Sequence, residues 1–274
     1  RPCPEATATS APGYGGRRER YALGKSLRKR VPRRSLADWA PPADRPDPVD
    51  LIEVNHRGRL ERLIPVRVGR MVASPYGFLR GTAVVMADDV ARLPSTGITP
   101  VVCGDSHLGN FGFYASPERD LVIDLNDFDE AHPGGWEWDL RRLVASIWVA
   151  GRHNGASEDD CCAAVGSCVC AYRMELRRLA DEPLFSRALT RLDVDRLAGE
   201  TAGPLAEEVQ RSARRARNRT SDRALPRFTR EVDGVRRIVE EPPLITRLPG
   251  READALAEAL DDYLPTLSTH WHRV

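Results

Sequence analysis

Short apolar runs separated by polar loops dominate one stretch of the chain, Val101 to Ala145. Val101–Cys103 is apolar and stops at Gly104, Phe111–Ala115 stops at Ser116-Pro117, and Leu121–Leu125 is a third run. Runs this short, bounded by Gly, Pro and polar residues, predict strands, so the stretch reads strand, polar loop, strand, turn, strand. A hairpin between Phe111 and Leu125 gathers two sets of polar residues at one end. Asp105, His107 and Asn110 leave the first strand, and Asp127, Asp129 and Glu130 leave the third. Elsewhere the period lengthens to about 3.6 residues, that of a helix. Leu140, Leu143, Val144, Ile147 and Trp148 make one stripe over Trp138–Arg152, with Arg141, Arg142 and Arg152 off it, which predicts a core helix. Ser157 caps the next helix, with Asp160 in its third position, and the pattern runs on to Leu179. Further helices are predicted over Tyr21–Arg30, Thr82–Leu93, Pro204–Arg219 and Arg251–Tyr263. Leu51–Met71 has the texture of surface helices broken at Pro65, and Ser74–Arg80 reads as a turn. Asp233-Gly234, between Phe228–Glu231 and Val235–Val239, predicts a two-residue hairpin. The fold class expected is α+β, a small antiparallel sheet carrying the polar loops and surrounded by helices.

Composition adds bounds. The chain has 274 residues and is 41% hydrophobic, enough for a buried core. Its 41 basic and 40 acidic residues leave a net charge of +1, which gives no global pull toward nucleic acid or an anionic membrane. Two arginine-rich stretches, Arg17–Arg34 and Arg211–Arg219, read as solvated faces, because no aromatic residues interleave the second for base stacking. No apolar run is long enough to span a bilayer and no charged-then-apolar leader opens the chain, so a cytoplasmic protein is expected. Four of six cysteines, Cys161, Cys162, Cys168 and Cys170, crowd one predicted helix at a spacing unlike a zinc site, and are read as reduced helix thiols. Residues 1–16, rich in Pro, Ala, Thr and Gly, predict a disordered tail, and Ala40–Pro48 an extended strap. The chain starts at Arg1 and shows no capped helix end at Val274, which reads as an incomplete sequence.

The gathered carboxylates and amide are hard oxygen ligands of the kind magnesium shares with phosphates. Gly104-Asp105-Ser106-His107-Leu108-Gly109-Asn110 resembles the G-D-x-H-x-x-N catalytic loop of aminoglycoside phosphotransferases and other kinase-like enzymes. Asp127-Phe128-Asp129-Glu130-Ala131 resembles their metal-binding D-F-G-D-A segment, and the onward spacing to Gly134, Asp139 and Leu140 agrees. With RPDPV at Arg45–Val49 and SPYGFLRG at Ser74–Gly81, the stretch is still more similar to the domain-of-unknown-function 2252 family, over roughly residues 15 to 260.

The resemblance implies one kinase-like domain over residues 17–274, a catalytic half that is permuted and incomplete: a motif core at 45–155, then a helical region at 156–274. It implies transfer of a phosphoryl group from ATP or GTP, with magnesium, to a small-molecule or protein acceptor. Asp105 would orient or deprotonate the attacking hydroxyl and His107 would brace the loop. Asn110 and Asp127 would hold magnesium on the nucleotide phosphates, with Asp129 as an added carboxylate where the pattern has Gly. Asp139 would accept hydrogen bonds from the loop backbone. Arg80 suits a phosphate contact and a structural ion pair equally. The nearest candidate phosphate loop, Gly13-Tyr14-Gly15-Gly16, has no strand before it. In the family resembled, a Gly-rich segment and a lysine-bearing strand follow the region present here, and the chain ends before them. Two alternatives stay open. One is a catalytically inactive kinase-like binding or adaptor protein. The other is a metal-dependent phosphoesterase built on Asp105-x-His107, which needs His-rich metal segments that His56, His107, His132, His153, His270 and His272 do not form. His270-Trp271-His272 also has the spacing of a metal pair on a strand.

Overall fold

The computed structural model describes residues 16–219 and 221–267, without the side chains of Ser221 and Asp222. The predicted tail up to residue 15, the Gly13–Gly15 part of the candidate phosphate loop and the His270-Trp271-His272 pair lie outside the described residues.

The elements start where local chemistry satisfies the first free backbone N–H groups. Helix α1 spans Arg17–Arg30. Asp47 caps α2, Pro48–His56, by accepting the Val49 N–H at 2.7 Å, and Pro48 fills the first helical position. Pro65 sits in the first turn of α3, Ile64–Val72, where a missing N–H costs nothing, so it begins a helix instead of breaking one. Ser74-Pro75 likewise opens α4, Pro75–Gly81, with Ser74 Oγ accepting from the Gly77 N–H at 2.9 Å; the turn expected there is a capped helix. Helix α5 is Ala83–Ala91. Then come β1, Val101–Val102, a short 3-10 helix at Leu108–Asn110, β2, Phe111–Ala115, β3, Leu121–Leu125, and β4, His132–Pro133. Helix α6 is Trp136–His153, and α7 is Glu158–Asp181 with the predicted Ser157 cap, whose Oγ accepts from the Asp160 N–H at 3.1 Å. The clustered cysteines Cys161, Cys162, Cys168 and Cys170 are free thiols along α7. Helices α8, Leu184–Ala188, α9, Val194–Glu200, and α10, Gly203–Arg217, follow. Then come α11, Ser221–Phe228, β5, Thr229–Val232, β6, Val235–Ile238, and α12, Gly250–Tyr263.

The fold is α+β, with antiparallel pairs β1–β4, β2–β3 and β5–β6. The described chain forms two compact units, one from residues 16–59 and 66–216, the other from residues 60–65 and 217–267. In the second, Asp233 and Gly234 both have positive φ, 53° and 74°, the backbone of the predicted two-residue hairpin turn between β5 and β6.

In the first unit β2 and β3 pair with Phe111 opposite Leu125 and Ala115 opposite Leu121, the predicted register. The Leu192 carbonyl and an isolated bridge from Asp193 to Val122 extend β3 toward α9. Helix α6 packs against α4, α5, α7 and β1. Its predicted apolar stripe is only half-buried, and the residues it buries are Glu137, Arg142 and Ser146. Arg142, which lies off the predicted apolar stripe, is 3% exposed. The reason is that α6 is enclosed on more than one side, and the side facing the β1 loop is polar because that loop needs partners for its own backbone. Glu137, 2% exposed, accepts the Thr96 N–H at 2.8 Å and the Thr96 hydroxyl at 2.6 Å. Glu137→Ala should strand both donors in a buried site and lower the unfolding free energy by about 1–3 kcal/mol. Urea unfolding of the two proteins measures it, and equal midpoints and slopes would contradict the assignment.

Candidate active site

The loop after β1 is tied to α6 residue by residue. The Cys103 and Gly104 N–H groups donate to the two carboxylate oxygens of half-buried Asp139 at 2.7 and 3.0 Å, the role implied for Asp139 from sequence. Gly104 has φ +81°, and a Cβ there would run into the Glu130 carbonyl oxygen, so only glycine fits. Asp105 is 8% exposed, and Arg142 donates from Nε to its Oδ1 at 2.7 Å while Nη2 donates to the Leu79 carbonyl at 2.6 Å. The other carboxylate oxygen, Oδ2, lies 3.7 Å from His107 Nε2, beyond hydrogen-bonding range. Leu108 N–H donates to Ser146 Oγ at 2.9 Å. Asn110 donates from Nδ2 to the Asp105 carbonyl at 2.7 Å, closing the loop on itself.

The second loop meets the first because the hairpin register requires it. Asn110 precedes β2 and Asn126 follows β3, and the Asn126 N–H donates to the Asn110 carbonyl at 2.9 Å. Cys103 Sγ donates to the Asp127 carbonyl at 3.2 Å, so the backbone of Asp127 lies against the start of the first loop. The structure thus brings Asp105, His107 and Asn110 together in a buried loop and sets Asp127 at the same end of the hairpin. Asp127, Asp129 and Glu130 are exposed, and the Asp129 N–H donates to Asp127 Oδ1 at 3.3 Å. Arg80 is exposed, makes no ion pair among the described residues, and has its Nε 3.3 Å from where a Cβ on Gly109 would stand. Of the two roles expected for Arg80, the ion pair is not found among the described residues.

Burial lowers the pKa of His107; Asp105 opposes the shift, and Arg142 and Arg80 add to it. The imidazole is therefore neutral, and its buried Nδ1 has no hydrogen-bond partner. The pKa of Glu130 is raised, first by partial desolvation of its carboxyl within an otherwise exposed residue and then by the nearby charges of Asp105, Asp127 and Asp129. Burial also raises the Cys103 thiol, with a backbone hydrogen bond at Asp105 opposing, so Cys103 serves as a neutral donor to Asp127.

Two oxygen groups at this end of the hairpin could contribute to a hard-cation site. Asn110 has spent its amide nitrogen on the loop, which leaves Oδ1 as its acceptor, and the Asp127 carboxylate is exposed. Such oxygen groups are of the kind magnesium takes while it keeps waters and shares phosphate oxygens. Among the described residues no three His, Cys, Asp or Glu side chains converge as a metal-binding group. Sequence reasoning missed Arg142 and Ser146. The signal available for them was the i, i+3, i+7 spacing of Asp139, Arg142 and Ser146, one polar face opposite the apolar stripe.

Two outcomes follow. Asp139→Ala should cost about 1–3 kcal/mol of stability, since two loop N–H groups lose their acceptor, and Asp139→Asn should cost less because one acceptor remains. Chemical unfolding of both variants checks the order. His107 binds its proton less readily folded than unfolded, so stability should fall as pH drops below about 6.5, where the unfolded chain takes up a proton that the buried ring refuses. In His107→Gln that decline should be shallower, measured by urea unfolding at about pH 7 and about pH 5.5.

Nothing among curated proteins matches the chain, and nothing among solved structures does. No helix among the described residues is long and apolar enough to cross a membrane. Residues 59–273, which hold both loops, Arg80, Asp139 and Arg142, match the model of one bacterial family. The chain belongs to the family of uncharacterized proteins conserved in bacteria, DUF2252.

Proposed function

We propose that this protein is a kinase-like phosphotransferase, dependent on a nucleotide, ATP or GTP, and on magnesium. The observation that carries the reading is the backbone bond from Asn126 to Asn110 across the β2–β3 hairpin, which joins the G-D-x-H-x-x-N loop to the Asp127 segment. Phosphoryl transfer asks a protein mainly for positioning and charge neutralisation. Asn110 and Asp127 would hold magnesium, with Asp129 beside them, and the ion would neutralise phosphate charge. Asp105 keeps Oδ2 clear of the Arg142 pair, and that oxygen would orient the acceptor hydroxyl. Arg80, a cation without an ion pair among the described residues, would meet a phosphate oxygen.

A second reading, a kinase-like protein that binds nucleotide without turnover, draws on one observation: Asp105 is buried and already holds Arg142. The phosphoesterase alternative lacks its ligand set among the described residues. Calorimetry with magnesium–ATP and magnesium–GTP, with and without chelator, separates these. Binding should need the metal and fall at least about tenfold, or 1.4 kcal/mol, in Asp127→Ala. Asp105→Asn should keep binding and lose transfer to a panel of hydroxylated and aminated acceptors. Binding without any transfer by the parent protein favours the second reading, and metal-independent binding unaffected by Asp127→Ala refutes both.

A further inference from the structure

A cleft of about 920 Å³ is lined by Arg141, Arg142 and Val144 of α6 and walled by α4, α5, the end of α3 and the Leu36–Trp39 segment. That volume is in the range of small-molecule sites, roughly 300–1,000 Å³. Its lining is mostly apolar, with Met71, Phe78, Val85, Met86 and Val144 among the walls. Most polar groups on the walls are spent on the protein itself: Thr82 Oγ1 donates to the Phe78 carbonyl at 2.9 Å, and Asp89 receives Arg45 at 2.6 and 2.9 Å.

Two cations are not fully matched. Arg141 Nε and Nη2 donate to a single neutral acceptor, the Leu36 carbonyl, at 3.1 and 2.7 Å, and no carboxylate pairs with it among the described residues. Burial lowers its pKa, with Glu137 opposing at longer range, as expected of a guanidinium that has lost water without gaining a counter-ion. Arg142 is 3% exposed, and among the described residues its Nη1 has only the Met86 thioether, at 3.9 Å, which is a weak acceptor. The remaining carboxylate on the wall, Asp38, is exposed, where water and salt screen it.

We infer that this cleft binds a small amphiphilic carboxylate: an alkyl or aryl body seated among the apolar walls, with one carboxylate directed at Arg141 and at Nη1 of Arg142. The body gains from leaving water. The head supplies the acceptor that Nη1 lacks and the countercharge that Arg141 lacks, and charge-assisted bonds to guanidinium are the stronger kind. A cationic amphiphile of the same body would face both guanidinium groups. The site stands whether or not the protein transfers phosphate.

Calorimetry of the purified chain with decanoate, decanol and decylammonium, each below its micelle concentration, tests the assignment. Decanoate should bind at least about tenfold more tightly than decanol, a difference of 1.4 kcal/mol, and decylammonium more weakly than either. In Arg141→Gln the preference for decanoate over decanol should collapse to near parity while decanol binding is kept. Val85→Trp should fill the cleft and remove both ligands, with thermal melting confirming the fold; should that variant not fold, Arg141→Gln decides alone. Absence of decanoate binding by the parent chain, equal affinity for decanoate and decanol, or a preference unchanged in Arg141→Gln would each overturn the proposal.

Discussion

The guanidinium of Arg142 is the point at which the first unit is tied together. It is buried and charged, and such a group is tolerated only where its hydrogen bonds are met. Nε holds the Asp105 carboxylate and Nη2 holds the last turn of α4 through the Leu79 carbonyl, so the loop, α4 and α6 meet at one side chain. Around it runs a ladder along α6. Glu137 holds Thr96, Asp139 holds Cys103 and Gly104, Arg142 holds Asp105, and Ser146 holds Leu108. Helix position and loop position advance together, so each rung fixes the register of the next. A buried ion pair often adds little net stability, because desolvation offsets attraction, and its use lies in specifying one arrangement. Here it specifies where Asp105 stands.

The two loops at the hairpin end differ in a way that suits a division of labour. The first is buried, internally bonded and set by a rigid helix, which keeps Asp105 and Asn110 within a narrow range of positions. The second is exposed, and its tie to the first runs through backbone atoms, the Asn126 N–H and the Asp127 carbonyl. That tie leaves the Asp127 carboxylate free of the first loop's polar network. A positioned acceptor-orienting group and an exposed carboxylate are what the proposed reaction asks of the two segments.

Much of this was legible from the chain itself where the signal is local. Apolar runs closed by Gly104, Ser116-Pro117 and polar residues marked the strands, Asp233-Gly234 marked a turn needing two positive φ values, and Ser157 marked the start of α7. What escaped was non-local. Arg142 reads as surface in any count of hydrophobic stripe, because its partner Asp105 lies 37 positions away. Ser74-Pro75 and Pro65 misled for the opposite reason: proline marks both the end and the first turn of a helix, and only the capping bond from Gly77 to Ser74 tells them apart. The two-residue strands β1 and β4 are too short to carry a period at all.

Arg142 also joins two regions that sequence gives no reason to connect. Nε donates to Asp105 in the loop and Nη1 lies beside Met86, which lines the cleft, so the two contacts use different N–H groups of one delocalised cation. An anion held in the cleft would leave the Asp105 bond geometrically intact while placing a second negative charge on the far side of the same guanidinium. Two anions sharing one cation are each held less strongly than either alone, since the attraction is divided and they repel. Any such coupling would be reciprocal: whatever tightens Asp105 on Arg142 would weaken the hold on an anion proposed for the cleft by the same free energy. The rigidity of the ladder decides how that energy is expressed. With Asp139 and Ser146 holding the loop on either side of Asp105, the loop cannot drift as a whole, and the response is confined to the one carboxylate between them.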